Sequence, residues 1–234
     1  LNCVAELRKP REFADFFDAL PAVEQREWID SLLERLVPTP SPNSYVCLLD
    51  TGLNIGNPLI AALVDNNDSH TINEDWGTAD SHDHGTALAS LSIFGDLADV
   101  IPDTGEVALA HGFESVKIVP PVENNEEDFA AYFTQQGVYL AQIAHVDRSR
   151  VYCLASTFRA SETGKPSSWS TTIDMLSAGS DDAQSPRRLF VVGLGNIHFT
   201  QWTAYPDSND EHPAETPSQS WNAISVGGYP NKTR

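Results

Sequence analysis

Basic residues are scarce in this chain: 14 Lys and Arg stand against 33 Asp and Glu in 234 residues, a formal net charge of -19. That much negative charge repels phosphate backbones and anionic lipid surfaces, which sets aside nucleic acid and membrane as partners. No uninterrupted apolar run approaches the ~18 residues of a membrane span, and no basic-then-apolar leader opens the chain. Cysteine is sparse as well. Cys3, Cys47 and Cys153 are an odd number, and the last two sit inside apolar, strand-like runs where a thiol behaves as a small hydrophobe. Together these absences predict a soluble protein of a reducing, cytoplasmic setting. No internal repeat and no low-complexity tract interrupts the chain. With 41% apolar residues, it has enough to bury one sizeable core with a small appendage. Leu1 is not methionine and Asn231 to Arg234 lack terminal character, so the expectation is an excerpt of a longer chain.

From Pro21 to Leu36, residues Trp28, Ile29, Leu32, Leu33 and Leu36 share one face at helical spacing, with Pro21 suited to the first turn. Three prolines between Val37 and Ser44 then forbid helix and favour an extended linker. The expected division is a helical segment and linker over 1–44, followed by a main domain over 45–234. Beyond Ser44, short apolar runs alternate with helix-length amphipathic segments. The runs are Tyr45 to Leu49, Ser115 to Val119, Val151 to Ala155, Leu189 to Val192 and Ala223 to Val226; the helical segments include Thr86 to Leu97, Glu126 to Ala144 and Ile173 to Ala178. Continuous Val/Ile/Leu runs separated by helices predict parallel strands buried on both faces, in an α/β fold. The acidic stretch from Glu123 to Asp128 suits the first turn of the helix after it.

Asp50 ends an apolar strand and precedes Thr51-Gly52, which puts its carboxylate at the carboxyl edge of the sheet, where open α/β sheets bind ligands. A turn aspartate accepting backbone hydrogen bonds is the plainer alternative. His84 stands before Gly85-Thr86 and a helical stretch of small and apolar residues, so its ring would project from a helix start. A carboxylate bonded to one ring nitrogen fixes the tautomer and frees the other nitrogen to take a proton. The pair therefore carries more than either residue alone. A third element is Val191-Val192-Gly193-Leu194-Gly195-Asn196, a buried strand running into a glycine-flanked asparagine. It suits either an ordinary turn or the amide of an oxyanion hole.

With these residues in place, the chain resembles the subtilisin-like serine proteases of bacterial type, the subtilases. The resemblance rests on Asp50-Thr51-Gly52, His84-Gly85-Thr86 with Ala89, Val116-Lys117-Ile118, Val192 to Asn196, and Asn222 to Gly228, in the family's order, over about Tyr45 to Tyr229. It implies a three-layer fold with a mainly parallel central sheet and helices on both faces. It implies serine endopeptidase chemistry on polypeptides through an acyl-enzyme, with Asp50 as the orienting carboxylate, His84 as general base and acid, and Asn196 as the oxyanion donor. It further implies that Val151 to Thr157 form the edge along which substrate backbone pairs, with Ala155, Ser156 and Thr157 nearest the cleaved residue. No cofactor is required, although the acidic loops would suit calcium.

The departures from the family pattern are specific. Ala87 stands where a second histidine is usual, and Ser90 replaces a common glycine. The nucleophile, expected in a Gly-Thr-Ser that opens a later helix, is missing: Gly77-Thr78-Ala79 and Gly85-Thr86-Ala87 are present, but no Gly-Thr-Ser. Ser208, Ser218, Ser220 and Ser225 follow Asn196 without a glycine-framed turn before a helix. The expectation is a catalytic domain that ends ahead of its serine and is inactive alone. A pseudo-protease or protein-binding module with the same cleft is the non-enzymatic alternative. An aspartic protease would use Asp103-Thr104-Gly105 as a second copy of the first motif, against which Pro102 argues. A metal-dependent hydrolase would draw on Asp80, His82, Asp83 and His84.

Overall fold

The computed structural model describes residues 14–40, 42–122, 129–159, 165–197, 199–204 and 207–228. In chain order the elements are α1 (Ala14–Asp18), α2 (Ala22–Glu34), β1 (Leu36–Val37), β2 (Tyr45–Asp50), α3 (Pro58–Ala61), β3 (Ser69–Thr71), α4 (His84–Phe94) and α5 (Leu97–Val100). There follow β4 (Val107–Ala108), β5 (Gly112–Lys117), α6 (Ala130–Ala144), β6 (Arg150–Leu154), α7 (Ser168–Ala178), β7 (Leu189–Gly193), α8 (Asp207–Glu211) and β8 (Ile224–Val226). Six strands form one parallel sheet in the order β3-β5-β2-β6-β7-β8, and β1 and β4 pair separately, also in parallel. The α/β layout with a parallel central sheet is as the sequence predicts.

Alternation along β2 divides the core. Cys47 and Leu49 face a cluster that takes in Val138 and Ala141 of α6 and Ile173 and Leu176 of α7. Leu48 faces the other way, toward Ile60 of α3 and Ala89 of α4. Successive strand side chains point to opposite faces, so Asp50 shares the α3/α4 side with Leu48. The side chain of Cys153, paired in register with Leu48, packs on that side too.

Several boundaries differ from expectation for local reasons. Helix α2 stops at Glu34 rather than Leu36, because Leu36 and Val37 pair with Val107 and Ala108. Val37, expected at the start of the linker, is thus a strand residue, and Thr39 hydrogen-bonds the carbonyl of Leu109. Leu32 is fully buried with Leu59, Phe94 and Leu109, and the Arg35 guanidinium bonds the carbonyls of Val100, Ile101 and Gly105. The predicted Thr86 to Leu97 helix begins earlier, at His84, and breaks at Gly95, whose φ of 71° ends α4 before Asp96 caps α5. The acidic stretch 123–128 lies outside the described residues. Strand β8 was expected to be buried, yet Ile224 and Val226 are exposed because β8 forms the edge of the sheet. Among the described residues, no helix is long and apolar enough to cross a membrane.

Candidate active site

The carboxyl ends of β2, β6 and β7 lie side by side, and each carries a residue singled out by sequence. Asp50 is the last residue of β2 and its side chain is fully buried. His84 is the first residue of α4, and its Nδ1 donates to Asp50 Oδ1 across 2.8 Å. The same carboxylate oxygen accepts from the Thr51 backbone N–H at 2.8 Å, while Oδ2 is buried without a partner among the described residues. The bond to Asp50 raises the His84 pKa from its ordinary value; burial opposes the shift, and the charges of Asp50 and Asp80 add to it. The imidazole is 48% exposed, so its outer edge faces solvent.

Glycine makes this approach of β2 and α4 possible. A Cβ on Gly85 would lie 2.2 Å from the Gly52 carbonyl oxygen, and one on Gly52, whose φ is 105°, would lie 2.5 Å from the Thr78 carbonyl oxygen. The helix start is secured from outside. Helix α4 has no cap from Asp83, which takes a left-handed φ of 60°. Instead Thr51 Oγ1 accepts from Gly85 N–H at 2.9 Å, and Asp80 Oδ2 accepts from the Thr86 N–H and hydroxyl, each at 2.7 Å. Two N–H groups that every helix leaves free are thus satisfied by tertiary contacts. Thr51 Oγ1 donates to Asp80 Oδ1 at 2.8 Å, which links the two motifs.

Asp80 is a candidate metal donor by sequence, and its surroundings make it part of this scaffold. Both oxygens are taken by Thr51, Thr86 and the His82 N–H, His82 Nδ1 faces Ser81 Oγ, and His84 faces Asp50. Among the described residues no three His, Cys, Asp or Glu side chains converge as a metal site. Burial pushes the Asp80 carboxyl up, but the hydrogen bonds from Thr86, His82 and Thr51 outweigh it and hold the group below its ordinary value. Lys117, at the end of β5 and buried, donates to the Ala79 carbonyl at 2.6 Å and to Ser81 Oγ at 3.3 Å, pinning the loop that carries Asp80. The scaffold roles of Thr51, Asp80, Thr86 and Lys117 were not read from sequence. The bonds that join the two motifs and pin the loop run from 29 to 38 residues across the chain, beyond the reach of local spacing.

The remaining residues fall as follows. Ala155, Ser156 and Thr157 continue beyond β6, half-buried; Ser156 and Thr157 make no backbone-to-backbone hydrogen bond among the described residues. Phe158 and Thr216 then exchange two, each of 2.9 Å. Asn196 is exposed, three residues past β7. Asp103 sits in the turn between α5 and β4, with its Oδ1 on the Thr104 N–H, while the imidazole of His84 is what faces Asp50. A second aspartate beside Asp50, as an aspartic protease needs, is therefore not supplied by Asp103. Of the late serines, Ser218 donates to the Glu215 carbonyl, Ser220 to Asp174 and Ser225 to the Ser218 carbonyl.

The fold is thus a parallel α/β sheet that holds a buried carboxylate against an imidazole at its carboxyl edge, where such sheets bind ligands. The model of the subtilase family matches residues 41–234, and the chain belongs to that family, whose members are serine peptidases acting on polypeptides. Comparison with curated proteins and with solved structures found no match.

Proposed function

We propose that this domain serves serine endopeptidase chemistry, with Asp50 orienting His84, His84 moving the proton, and Asn196 supporting the oxyanion. The observation that carries this reading is the 2.8 Å bond from Nδ1 to a fully buried carboxylate. With Nδ1–H committed to Asp50, the imidazole keeps its lone pair on Nε2, at the exposed edge. There it takes the proton from an attacking hydroxyl and later returns it to the leaving amine, while Asp50 steadies the transient imidazolium. The oxyanion then gains from the Asn196 amide. The backbone of Ser156 and Thr157, which makes no backbone-to-backbone hydrogen bond among the described residues, suits pairing with an extended peptide between β6 and the loop after β7.

The attacking serine belongs outside these 234 residues. No Gly-Thr-Ser is present, and no described serine hydroxyl is hydrogen-bonded to His84. The chain alone is then inactive, since base and oxyanion donors without an attacking oxygen give only residual acceleration. Incubation with a fluorophosphonate probe tests this: no labelling is expected, and stoichiometric labelling overturns it. The same missing hydroxyl favours, as a second reading, a binding module that keeps the cleft. Supplying the serine in an extended chain separates the two, because an endopeptidase then turns over a protein substrate and loses that activity on His84→Ala, whereas a binding module hydrolyses nothing. The free thiols of Cys47 and Cys153 suit a reducing, cytoplasmic setting.

A further inference from the structure

One carboxylate in the cleft is not used by this chemistry. Glu215 lies in the segment before the last strand, with its side chain only 11% exposed. Its backbone N–H donates to the Leu194 carbonyl at 2.9 Å, and its neighbour Thr216 pairs with Phe158. The segment is thereby stitched to both proposed walls of the cleft, the edge after β6 and the loop after β7. The side chain bridges them as well. Oε2 accepts from Thr157 Oγ1 at 2.6 Å and lies flat on Gly195, where a Cβ would stand 2.4 Å from that oxygen. The position beside Asn196 must therefore be bare for the carboxylate to occupy this place.

The other oxygen, Oε1, faces two cations at longer range. Its cationic neighbours are Arg159 Nε at 3.9 Å, on a side chain 74% exposed, and His212 Nε2 at 3.8 Å. Both distances exceed a hydrogen bond, and His212 Nε2 is itself buried without a partner among the described residues. At that range the two cations neutralise the carboxylate only in part, and a cation that comes closer is favoured.

Resting on the peptidase reading above, we infer that Glu215 selects a lysine or arginine side chain on the residue that donates the scissile carbonyl. The argument is positional. That residue's carbonyl must reach Asn196 while its backbone runs along Ser156 and Thr157, so its side chain leaves between these two walls. Glu215 occupies that space. An ammonium or guanidinium there meets Oε1 and displaces the loosely held Arg159, whereas an acidic side chain is repelled and an aliphatic one leaves the carboxylate desolvated and unpaired.

Binding to the serine-free chain tests the inference without turnover. Fluorescein-labelled peptides of the form Ala-Ala-Ala-X-amide, with X as Arg, Lys, Gln, Leu or Glu, are titrated with the 234-residue chain and followed by anisotropy. The Arg and Lys peptides are expected to bind about tenfold more tightly than Gln and Leu at low salt, with the advantage shrinking as salt rises. Glu215→Gln, which keeps an acceptor for Thr157, is expected to bring all the neutral and cationic peptides within about twofold of one another. Equal binding of Leu and Arg by the unaltered chain overturns the inference while leaving the peptide cleft standing, as does a preference that survives in Glu215→Gln. Failure of every peptide to bind overturns the cleft itself and the inference with it.

Discussion

His84 Nδ1 stands 2.8 Å from Asp50 Oδ1, with the aspartate wholly buried and half of the imidazole in solvent. A buried carboxylate bonded to a half-exposed ring favours the imidazolium, and the His84 pKa is raised from its ordinary 6.5. Because the folded value lies above the unfolded one, the pair's contribution to stability is fully present below pH 6.5 and is lost as pH rises through the folded value. Asp50→Asn removes the charge and keeps the shape. The His84 Cε1–H titration followed by NMR is expected to fall to a midpoint lower than in the unaltered chain. An unchanged midpoint would show that Asp50 does not set the protonation of His84. In a chain supplied with the serine, catalysis needs the neutral ring, so kcat/KM rises with pH through that same raised value.

Gly85 is in a helix, where alanine is ordinarily the better residue by about 1 kcal/mol. Here the sign reverses. The added Cβ would meet the Gly52 carbonyl oxygen at 2.2 Å and Thr51 Oγ1 at 3.1 Å, and the first of these is backbone that cannot swing aside. Gly85→Ala is expected to destabilise the domain by about 3 kcal/mol in urea denaturation. Gly105→Ala, whose Cβ would come no nearer than 3.7 Å to Asp103 Oδ2, serves as the control and stays near neutral. A G85A variant as stable as the control would refute close approach as the reason for glycine at this position.

Asp80→Ala strips the acceptor from the Thr86 N–H and hydroxyl, from Thr51 Oγ1 and from the His82 N–H. Part of this resembles loss of a helix cap, which costs about 1–2 kcal/mol. Since the folded pKa of Asp80 is depressed, its stabilisation is present above the unfolded carboxylate value and is lost as pH falls through the folded one. The difference in stability between the unaltered chain and D80A should therefore narrow in acid. A constant difference from neutral pH to the acid limit of folding would remove the Asp80 carboxylate from the account of how α4 is held.

The sheet was legible because buried parallel strands are continuous apolar runs, as Tyr45–Asp50 and Leu189–Gly193 are. The meeting of Asp50 and His84 was legible because Asp50 ends an apolar strand two residues before Gly52 and His84 opens a helix beside Gly85, so that glycine at both element boundaries lets the backbones approach closely. Short pairings were not. The strands Leu36–Val37, Ser69–Thr71 and Val107–Ala108 have two or three residues each, too few for periodicity to show. Glu215 was hidden for a different reason. Its contacts with Thr157 and Gly195 depend on how the segment before β8 folds back, and no local spacing encodes that return. The exposure of Ile224 and Val226 was likewise invisible, since an edge strand and a central one share the same composition.

Glu114 offers a test of whether stability and site chemistry are separable. It pairs in register with Cys47, three residues before Asp50, and is fully buried. Its carboxylate is held by Arg150 Nε and by Arg148 Nη1, the latter at 2.9 Å. Arg150 also bonds the carbonyls of Ala141 and His145 at 2.8 and 2.7 Å, so the guanidinium ties the start of β6 to the end of α6. Glu114→Ala leaves the buried Arg150 guanidinium without its carboxylate, while Arg148 keeps its ion pair with Asp68, and removing one partner of a buried pair costs about 3–5 kcal/mol. Replacing Glu114 and Arg150 together by Met removes the charge imbalance but abandons the Ala141 and His145 carbonyls. The double variant should recover part of the loss and not all of it. None of these changes touches a group that sets the His84 pKa, because the causes of that shift are the Asp50 bond, burial, and the charges of Asp50 and Asp80. E114A should therefore lower the urea midpoint while leaving the His84 titration in the folded state where it was. A shift of that titration in E114A would mean that the two ends of β2 are electrostatically coupled, contrary to the geometry.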